Sequence, residues 1–134
     1  MVLVDTNVLV DVLQGDPHWT DWSAHALQAQ TRLHPLVIDP VCYAELSMGY
    51  RTPAQLDAAL LQLDVEVRPT PPHALFLAGR AFLDYRRRGG TRTGVLPDFF
   101  IGAHAAAQGC SLLTRDAQRY KTYFPSVRLI APQQ

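Results

Sequence analysis

The stretch VLVDTNVLV, residues 2–10, decides the fold that this sequence predicts. Its first three residues form a short apolar run that indicates a buried strand, and Asp5 follows at once. Burying a carboxylate is unfavourable unless it is paired or bound to a metal. The arrangement therefore raises the question of what Asp5 faces, and whether other acids meet it there.

The composition predicts one globular domain over residues 1–134. Of the 134 residues, 48% are hydrophobic and 18% are charged, which is typical of a single domain with a real core. Twelve basic residues balance twelve acidic ones, so net charge favours neither a nucleic-acid nor a membrane partner. All the bases except Lys121 are arginine, whose planar fork suits phosphate, although a GC-rich genome explains the same bias equally well.

The termini and the cysteines predict a cytoplasmic protein. Cys42 and Cys110 have neither CxxC nor zinc spacing, which indicates reduced thiols. The N-terminus lacks the basic region of a signal peptide. No apolar stretch is long enough to span a bilayer, so we expect no membrane partner.

Short apolar strands alternate with helices along the chain. Strands are predicted at 2–4, 36–38, 64–69, 110–114 and 127–130. The helices between them are predicted to start at Asn7, Asp39, Thr52, Thr70 and Pro97 and to stop at Gly15, Gly89 and Gly109. This alternation is typical of a parallel sheet that helices cover on both faces, and it predicts an α/β fold.

Three more acids are predicted to lie near Asp5. In a parallel sheet the ligand crevice lies outside the carboxyl ends of the strands, where Asp5 is placed. Asp116 comes just after the fourth strand, at the same rim. Asp98 lies in the first turn of a helix, where the helix dipole favours a carboxylate. Glu45 lies on the helix after the second strand, with a side chain long enough to reach the others.

Four neighbouring carboxylates would repel one another, and some would stay protonated. A divalent cation removes that conflict. Because the predicted ligands are oxygen atoms without a histidine or cysteine partner, they select Mg²⁺ or Mn²⁺. Such a cation activates water against a phosphodiester. The acids therefore predict metal-assisted phosphoryl transfer, and hydrolysis in particular.

Each acid also has a structural explanation. Asp98 could simply start its helix, and Asp116 could cap the turn after the fourth strand. Glu45 could be a solvated helix position. Asp5 has the fewest structural explanations. The presence of all four acids together, rather than any one of them, favours a functional site.

Four blocks of the sequence resemble the PIN-domain nucleases, and the VapC toxins of type II toxin–antitoxin pairs in particular. These blocks are VLVDTNVLVDVL at 2–13, AELSMG at 44–49, LPDFFIGAHAAAQG at 96–109 and LLTRDAQRYKTYFP at 112–125. The resemblance implies a three-layer α/β/α sandwich with a mostly parallel central sheet of four or five strands. It also implies a ribonuclease that uses Mg²⁺ or Mn²⁺ to cleave RNA and inhibits translation. The implied partners are a second copy in a homodimer and a VapB-like antitoxin whose C-terminal segment blocks the site.

The resemblance also assigns residues. The metal-binding and catalytic acids of the family fall on Asp5, Glu45, Asp98 and Asp116, and polar positions beside the metal fall on Asn7 and Thr114. Some relatives have asparagine at the position of Asp116 and an acid three residues later, where this chain has Arg119. Asp116 is therefore the expected fourth ligand, or a contact to the metal-bound water.

The segment YRRRGGTRTG, residues 85–94, is rich in arginine: Arg86, Arg87, Arg88 and Arg92. Cations at a helix C-terminus before a glycine stop account for the first three and leave Arg92 unexplained. The functional interpretation is a rim that binds RNA phosphates and steers them toward Asp98.

Other classes of protein stay open as alternatives. A haloacid-dehalogenase-type phosphatase needs a second acid two residues after the first, where this chain has Asn7. A receiver domain needs a lysine after a late strand, which Lys121 matches poorly. A housekeeping PIN nuclease, or a degenerate PIN-like binding module, would keep the fold, and only metal binding separates the degenerate module from an enzyme.

Overall fold

Strand β1, Val2–Val4, lies in the middle of a five-stranded sheet in the computed structural model, which describes residues 1–92 and 94–133. The other strands are β2 (Leu36–Ile38), β3 (Val65–Val67), β4 (Ser111–Leu113) and β5 (Leu129–Ile130). Their order is β3-β2-β1-β4-β5, and every neighbouring pair is parallel. The prediction of a parallel sheet is confirmed, with shorter strands than the patterns at 64–69, 110–114 and 127–130 suggested.

Seven helices connect and flank these strands in the described part of the chain. They are α1 (Thr6–Gln14), α2 (Thr20–Thr31), α3 (Pro40–Ser47), α4 (Pro53–Gln62), α5 (Pro72–Arg87), α6 (Leu96–Gln108) and α7 (Gln118–Lys121). No helix over residues 1–92 and 94–133 has the length and apolar character needed to cross a bilayer.

Two predicted helix starts are confirmed by their hydrogen bonds. The N–H of Cys42 donates to Asp39 Oδ1 at 2.7 Å, and the N–H of Gln55 donates to Thr52 Oγ1. In each case a proline occupies the first helical turn, where its missing N–H costs nothing.

The predicted starts at Asn7, Thr70 and Pro97 are wrong by one or two residues. Helix α1 begins at Thr6, so Asn7 lies inside its first turn and Asp5 is the capping residue. The backbone at Asp5 is extended and its side chain makes no capping hydrogen bond, because the carboxylate points into the crevice instead. Helix α5 is capped by Pro71 rather than Thr70, and α6 begins at Leu96.

The sheet separates two helical layers, as the three-layer sandwich requires. Successive side chains of a strand point to opposite faces, so Val2 and Val4 face one layer and Leu3 faces the other. Helices α1–α4 contribute core residues to the first face, and α5, α6 and α7 contribute them to the second. The α/β/α architecture expected from the resemblance is therefore confirmed.

The order of the strands places a crevice between β1 and β4. The chain moves outward from β1 to β2 and β3 and then returns to the other side of β1 as β4. Ligands bind at such a reversal in open parallel sheets, beyond the carboxyl ends of the strands. The backbone N–H of Asp5 donates to Leu113 O at 2.8 Å, which fixes the end of β1 against the end of β4.

A buried ion pair ties this edge of the sheet to the first two helices. The carboxylate of Asp11 is 1% exposed, accepts a hydrogen bond from Ser23 Oγ at 2.8 Å and lies 2.9 Å from Arg115 Nε. The Arg115 guanidinium also lies over the Trp19 ring. Because Arg115 is next to Thr114 and Asp116, the pair supports the segment that follows β4.

We expect Asp11→Ala to lower the free energy of unfolding by about 2 kcal/mol or more, since it leaves Ser23 and Arg115 without their partner. Glu66→Ala, which breaks the exposed Glu66–Arg68 pair, is the matched control. It should lower the free energy of unfolding by at most about 1 kcal/mol. Urea denaturation measures both. Equal losses in the two variants would contradict a supporting role for the Asp11–Arg115 pair.

Candidate active site

The carboxylate of Asp5 lies at the bottom of the crevice and is 6% exposed. Its Oδ2 accepts hydrogen bonds from Tyr120 Oη at 2.7 Å and from Thr114 Oγ1 at 2.8 Å, and Asn7 Nδ2 lies 3.4 Å away. The donors come from α7, from the end of β4 and from α1. The fold therefore holds Asp5 in one orientation.

Thr114 positions two of the predicted acids at once. Its hydroxyl donates to Asp5 and accepts the backbone N–H of Asp116 at 3.0 Å. The residue is completely buried. Thr114 thus fixes the backbone at Asp116 while it orients the Asp5 carboxylate.

Asp98 enters the site from the first turn of α6. Tyr120 Oη, which donates to Asp5, lies 3.4 Å from Asp98 Oδ1. The two carboxylates therefore share one hydroxyl group as a common neighbour. The sequence-based prediction that Asp98 reaches the rim of Asp5 agrees with this placement.

Arg119 is the positive charge inside the site. Its Nη1 lies 2.7 Å from Asp98 Oδ2, and its Nε lies 2.9 Å from Asp116 Oδ2. One guanidinium thus bridges two of the four predicted acids. Its side chain is 45% exposed, so it can leave this position without crossing a packed core.

Glu45 lies at one side of this group, on α3. Its Oε1 accepts a hydrogen bond from Thr6 Oγ1 at 2.8 Å. Thr6 directly follows Asp5, so this bond ties the α3 acid to the N-terminal end of α1. Glu45 is linked to the other acids through Thr6 rather than by a shared hydrogen bond.

The electrostatics of the site raise the pKa values of its acids. Burial raises the pKa of Asp5 from its usual 3.8 to about 6; the Tyr120 hydrogen bond opposes this rise and the Asp98 charge adds to it. Burial also raises the pKa values of Glu45 and Asp98, and Arg119 opposes the rise at Asp98. The negative charge of Asp98 also adds to the shifts of both Asp5 and Glu45, so Asp98 is electrostatically coupled to both.

The donor set suits a hard divalent cation. The available ligands are carboxylate oxygens whose pKa values are raised by burial and by one another's negative charge, and a bound cation would stabilise their ionised forms. Over the described residues, no three His, Cys, Asp or Glu side chains are already arranged as metal ligands. The Arg119 bridge lies between Asp98 and Asp116, so cation binding there requires this side chain to move.

The polar and basic residues predicted around the acids differ in their placement. Asn7 lies beside Asp5, and its Oδ1 is buried without a hydrogen-bond partner in the part of the chain that the structure describes. Arg92 is exposed and lines a cavity that Asp98 also lines. Arg86, Arg87 and Arg88 lie at the C-terminal end of α5, where Arg88 pairs with Asp84 and its guanidinium lies over the Tyr123 ring.

Three residues of the site were missed in the sequence: Thr6, Arg119 and Tyr120. Arg119 and Tyr120 follow Asp116 by three and four residues, the spacing that places side chains on one face of a helical turn. That spacing was the available signal. No pattern in the sequence identifies Thr6, because its hydrogen bond to Glu45 depends on how α1 and α3 pack.

The pKa of Asp5 predicts how stability depends on pH in the absence of metal. The folded protein holds this proton up to about pH 6 and the unfolded chain releases it near 3.8, so ionisation of Asp5 lowers the stability as pH rises. In EDTA, Asp5→Asn should gain stability relative to wild type by about 2 kcal/mol between about pH 4 and 7.5.

Urea denaturation of both proteins across this range measures the difference. Asp21→Asn, which changes an exposed acid on α2, is the control and should show no such pH dependence. A flat difference between wild type and Asp5→Asn would contradict the raised pKa.

Comparisons with known proteins agree with this architecture. The sequence model of the PIN domain family matches residues 2–125. No protein with a curated description matches the chain. Several solved structures are similar, and the likeness extends over nearly the whole of both chains.

One similar chain belongs to VapBC2 of Rickettsia felis bound to a promoter DNA fragment, with 20% identity, a TM-score of 0.73 and 98% of each chain covered. Another belongs to VapBC-1 of nontypeable Haemophilus influenzae, with 18% identity, a TM-score of 0.72 and 98% of each chain covered. A toxin–antitoxin complex from Klebsiella pneumoniae gives 20% identity and a TM-score of 0.71, over 100% of this chain and 99% of the other. The family match, with the fold and the acids at its crevice, shows that this chain belongs to the PIN domain family.

Proposed function

We propose that this protein is a VapC-type toxin, a ribonuclease that hydrolyses RNA phosphodiester bonds with Mg²⁺ or Mn²⁺ and inhibits translation until its antitoxin neutralises it. PIN domains are generally nucleases and typically use divalent metals. The observation that carries the proposal is the group of acids around Asp98, one of them the buried Asp5, at the sheet crevice where β1 and β4 end. Acids with raised pKa values in a crevice are candidates for a functional site.

The four acids have distinct parts in this proposal. Asp5, Glu45 and Asp98 would hold the cation, with Asp116 as a further ligand or a contact to bound water. When bound, the cation supplies an activated water and stabilises negative charge on the phosphate. Thr114 and Tyr120 keep Asp5 oriented through their hydroxyl groups, and Thr6 does the same for Glu45.

RNA binding is proposed for the exposed arginines near the crevice. Arg92 lies beside the cavity next to Asp98, and Arg86, Arg87 and Arg88 extend the positive charge along the end of α5. Arginines in such positions neutralise phosphates without reading the sequence. They would steer RNA toward the acids.

The proposed partners are a VapB-like antitoxin and a second copy of the chain. The similar structures include VapBC complexes, and some of these were crystallised with DNA. Exposed apolar side chains provide contact surface for such partners; the most exposed are Met48, Leu61, Leu33 and Phe76. We place the whole chain, 1–134, in the cytoplasm as one domain.

A degenerate PIN-like binding module is the second candidate. Such a module does not require four acids held by Thr6, Thr114, Arg119 and Tyr120, so these contacts favour an enzyme. A housekeeping PIN nuclease would keep the same network, so that alternative differs only in its RNA target and in the absence of an antitoxin.

The proposal predicts metal-dependent cleavage of RNA. Purified protein incubated with total RNA and Mn²⁺ should give discrete products, and EDTA should abolish them. Asp98→Asn should lower the cleavage rate at least about 100-fold, because it removes the charge at the centre of the acid group. Sequencing of the product ends measures where cleavage occurs.

Asp21→Asn is the matched control and should cleave like wild type, since Asp21 is exposed on α2. Absence of cleavage, combined with no Mn²⁺-dependent rise in melting temperature, would support the degenerate module instead.

A second prediction concerns Arg119, because its guanidinium binds the same carboxylates that would bind the cation. Arg119→Ala should tighten Mn²⁺ binding by about fivefold, the loss of a half-exposed ion pair of about 1 kcal/mol. Arg119→Lys keeps the charge but lacks the fork that bridges two carboxylates, so it should also tighten binding. Isothermal calorimetry measures both affinities.

If only the alanine variant binds Mn²⁺ more tightly, Arg119 acts through its charge alone and the bridge is not the competitor. Unchanged affinity in both variants would show that the guanidinium and the cation do not compete.

A further inference from the structure

A cavity of about 240 Å³ opens beside the acids, with Asp98 in its lining. It lies where the end of α5, the start of α6 and helix α7 meet, with Tyr85, Phe99 and Tyr123 in its walls. We call it the aromatic pocket. Its volume is below the roughly 300–1,000 Å³ of pockets that take drug-sized ligands, so it suits a smaller ring system.

The walls of the aromatic pocket are rings held in fixed positions. Phe99 lies 5.6 Å from Tyr85, 5.2 Å from Tyr123 and 6.0 Å from Phe124, measured between ring centroids. Phe99 and Phe124 are buried, while Tyr85 and Tyr123 are half-buried and form the accessible part. The pocket therefore presents aromatic surface that is already in place.

Two glycines make this arrangement possible. A Cβ added at Gly90 would overlap the Tyr85 ring, and one added at Gly102 would lie 2.5 Å from Phe124 Cδ2. Both rings therefore pack directly against backbone that only glycine can supply. The pocket is built into the fold rather than left between loosely packed side chains.

The rim of the aromatic pocket carries hydrogen-bonding groups and positive charge. Arg92 and Arg119 lie on it together with Gln118 and the carboxylate of Asp98. The hydroxyl of Tyr85 accepts the backbone N–H of Arg92 at 2.9 Å, which fastens that part of the rim to the wall. Flat apolar walls with polar groups at the edge match the two faces and the edge of a nucleobase.

We propose that the aromatic pocket binds one unpaired base of the RNA, on a nucleotide next to the phosphodiester that is cleaved at the acids. This inference rests on the proposed ribonuclease function and adds a substrate subsite to it. Because a base must leave its stack to enter the pocket, the preferred substrate is a single-stranded segment or a loop rather than a duplex. Arg92 and Arg119 at the rim provide the charge that the adjoining phosphates require.

The experiment measures binding without cleavage. A fluorescent single-stranded hexaribonucleotide, and six versions with one abasic position each, are titrated in EDTA and low salt with wild type and with Thr122→Trp. Thr122 lies on the pocket lining and is exposed, so a larger side chain there can fill the pocket without disturbing the core. Gln28→Trp, which adds the same side chain at an exposed position on α2 away from the pocket, is the matched control, and circular dichroism checks that each variant is folded.

Wild type and Gln28→Trp should lose about tenfold in affinity when one particular position is abasic. Thr122→Trp should bind the intact RNA about tenfold more weakly, and the same abasic position should cause no further loss. Equal affinity of wild type for all seven RNAs, or additive losses in Thr122→Trp, would overturn the proposal. Unmeasurable binding of wild type to the intact RNA would overturn it as well.

These outcomes are separate from the cleavage assay. A protein that cleaves RNA with Mn²⁺ but ignores the abasic positions keeps the proposed function and loses the base-binding pocket. If Thr122→Trp instead leaves RNA binding intact and weakens only the complex with the antitoxin, the pocket receives a protein side chain and the base proposal is wrong.

Discussion

The buried carboxylate of Asp5 is the constraint on which the rest of the site depends. An ionised carboxylate that is 6% exposed is tolerated only where donors and positive charge surround it. Thr114 and Tyr120 supply two hydroxyl donors, and their positions require the end of β4 and helix α7 to lie against the end of β1. The parallel pairing of β1 with β4 is therefore what allows Asp5 to exist at this position.

The same group of acids explains why Arg119 lies inside the site. Burial raises the pKa values of Asp5, Glu45 and Asp98; the charge of Asp98 adds to the rise at the first two, and Arg119 opposes the rise at Asp98. One exposed guanidinium cannot satisfy four acids, so the site retains an excess of negative charge. That excess is the physical reason to expect a divalent cation. The Arg119 side chain must move away when the cation binds.

Much of this could be predicted from the sequence, because it depends on local patterns. The strands, the starts at Asp39 and Thr52, and the placement of Asp5, Asp98 and Asp116 at one edge follow from apolar runs, caps and parallel topology. The start of α1 was misplaced, since Asp5 caps the helix with its backbone while its side chain turns into the crevice.

The contacts of Arg119, Tyr120 and Thr6 were not predicted, because they depend on the three-dimensional paths of α1, α3, α6 and α7. We expect the acids around Asp98 to bind a divalent cation in place of the Arg119 bridge. Anomalous diffraction from a crystal grown with Mn²⁺ would locate this cation. We expect an anomalous peak about 2.2 Å from carboxylate oxygens of Asp5 and Asp98, with Arg119 displaced. A crystal without a peak, in which Arg119 still joins Asp98 and Asp116, would contradict it.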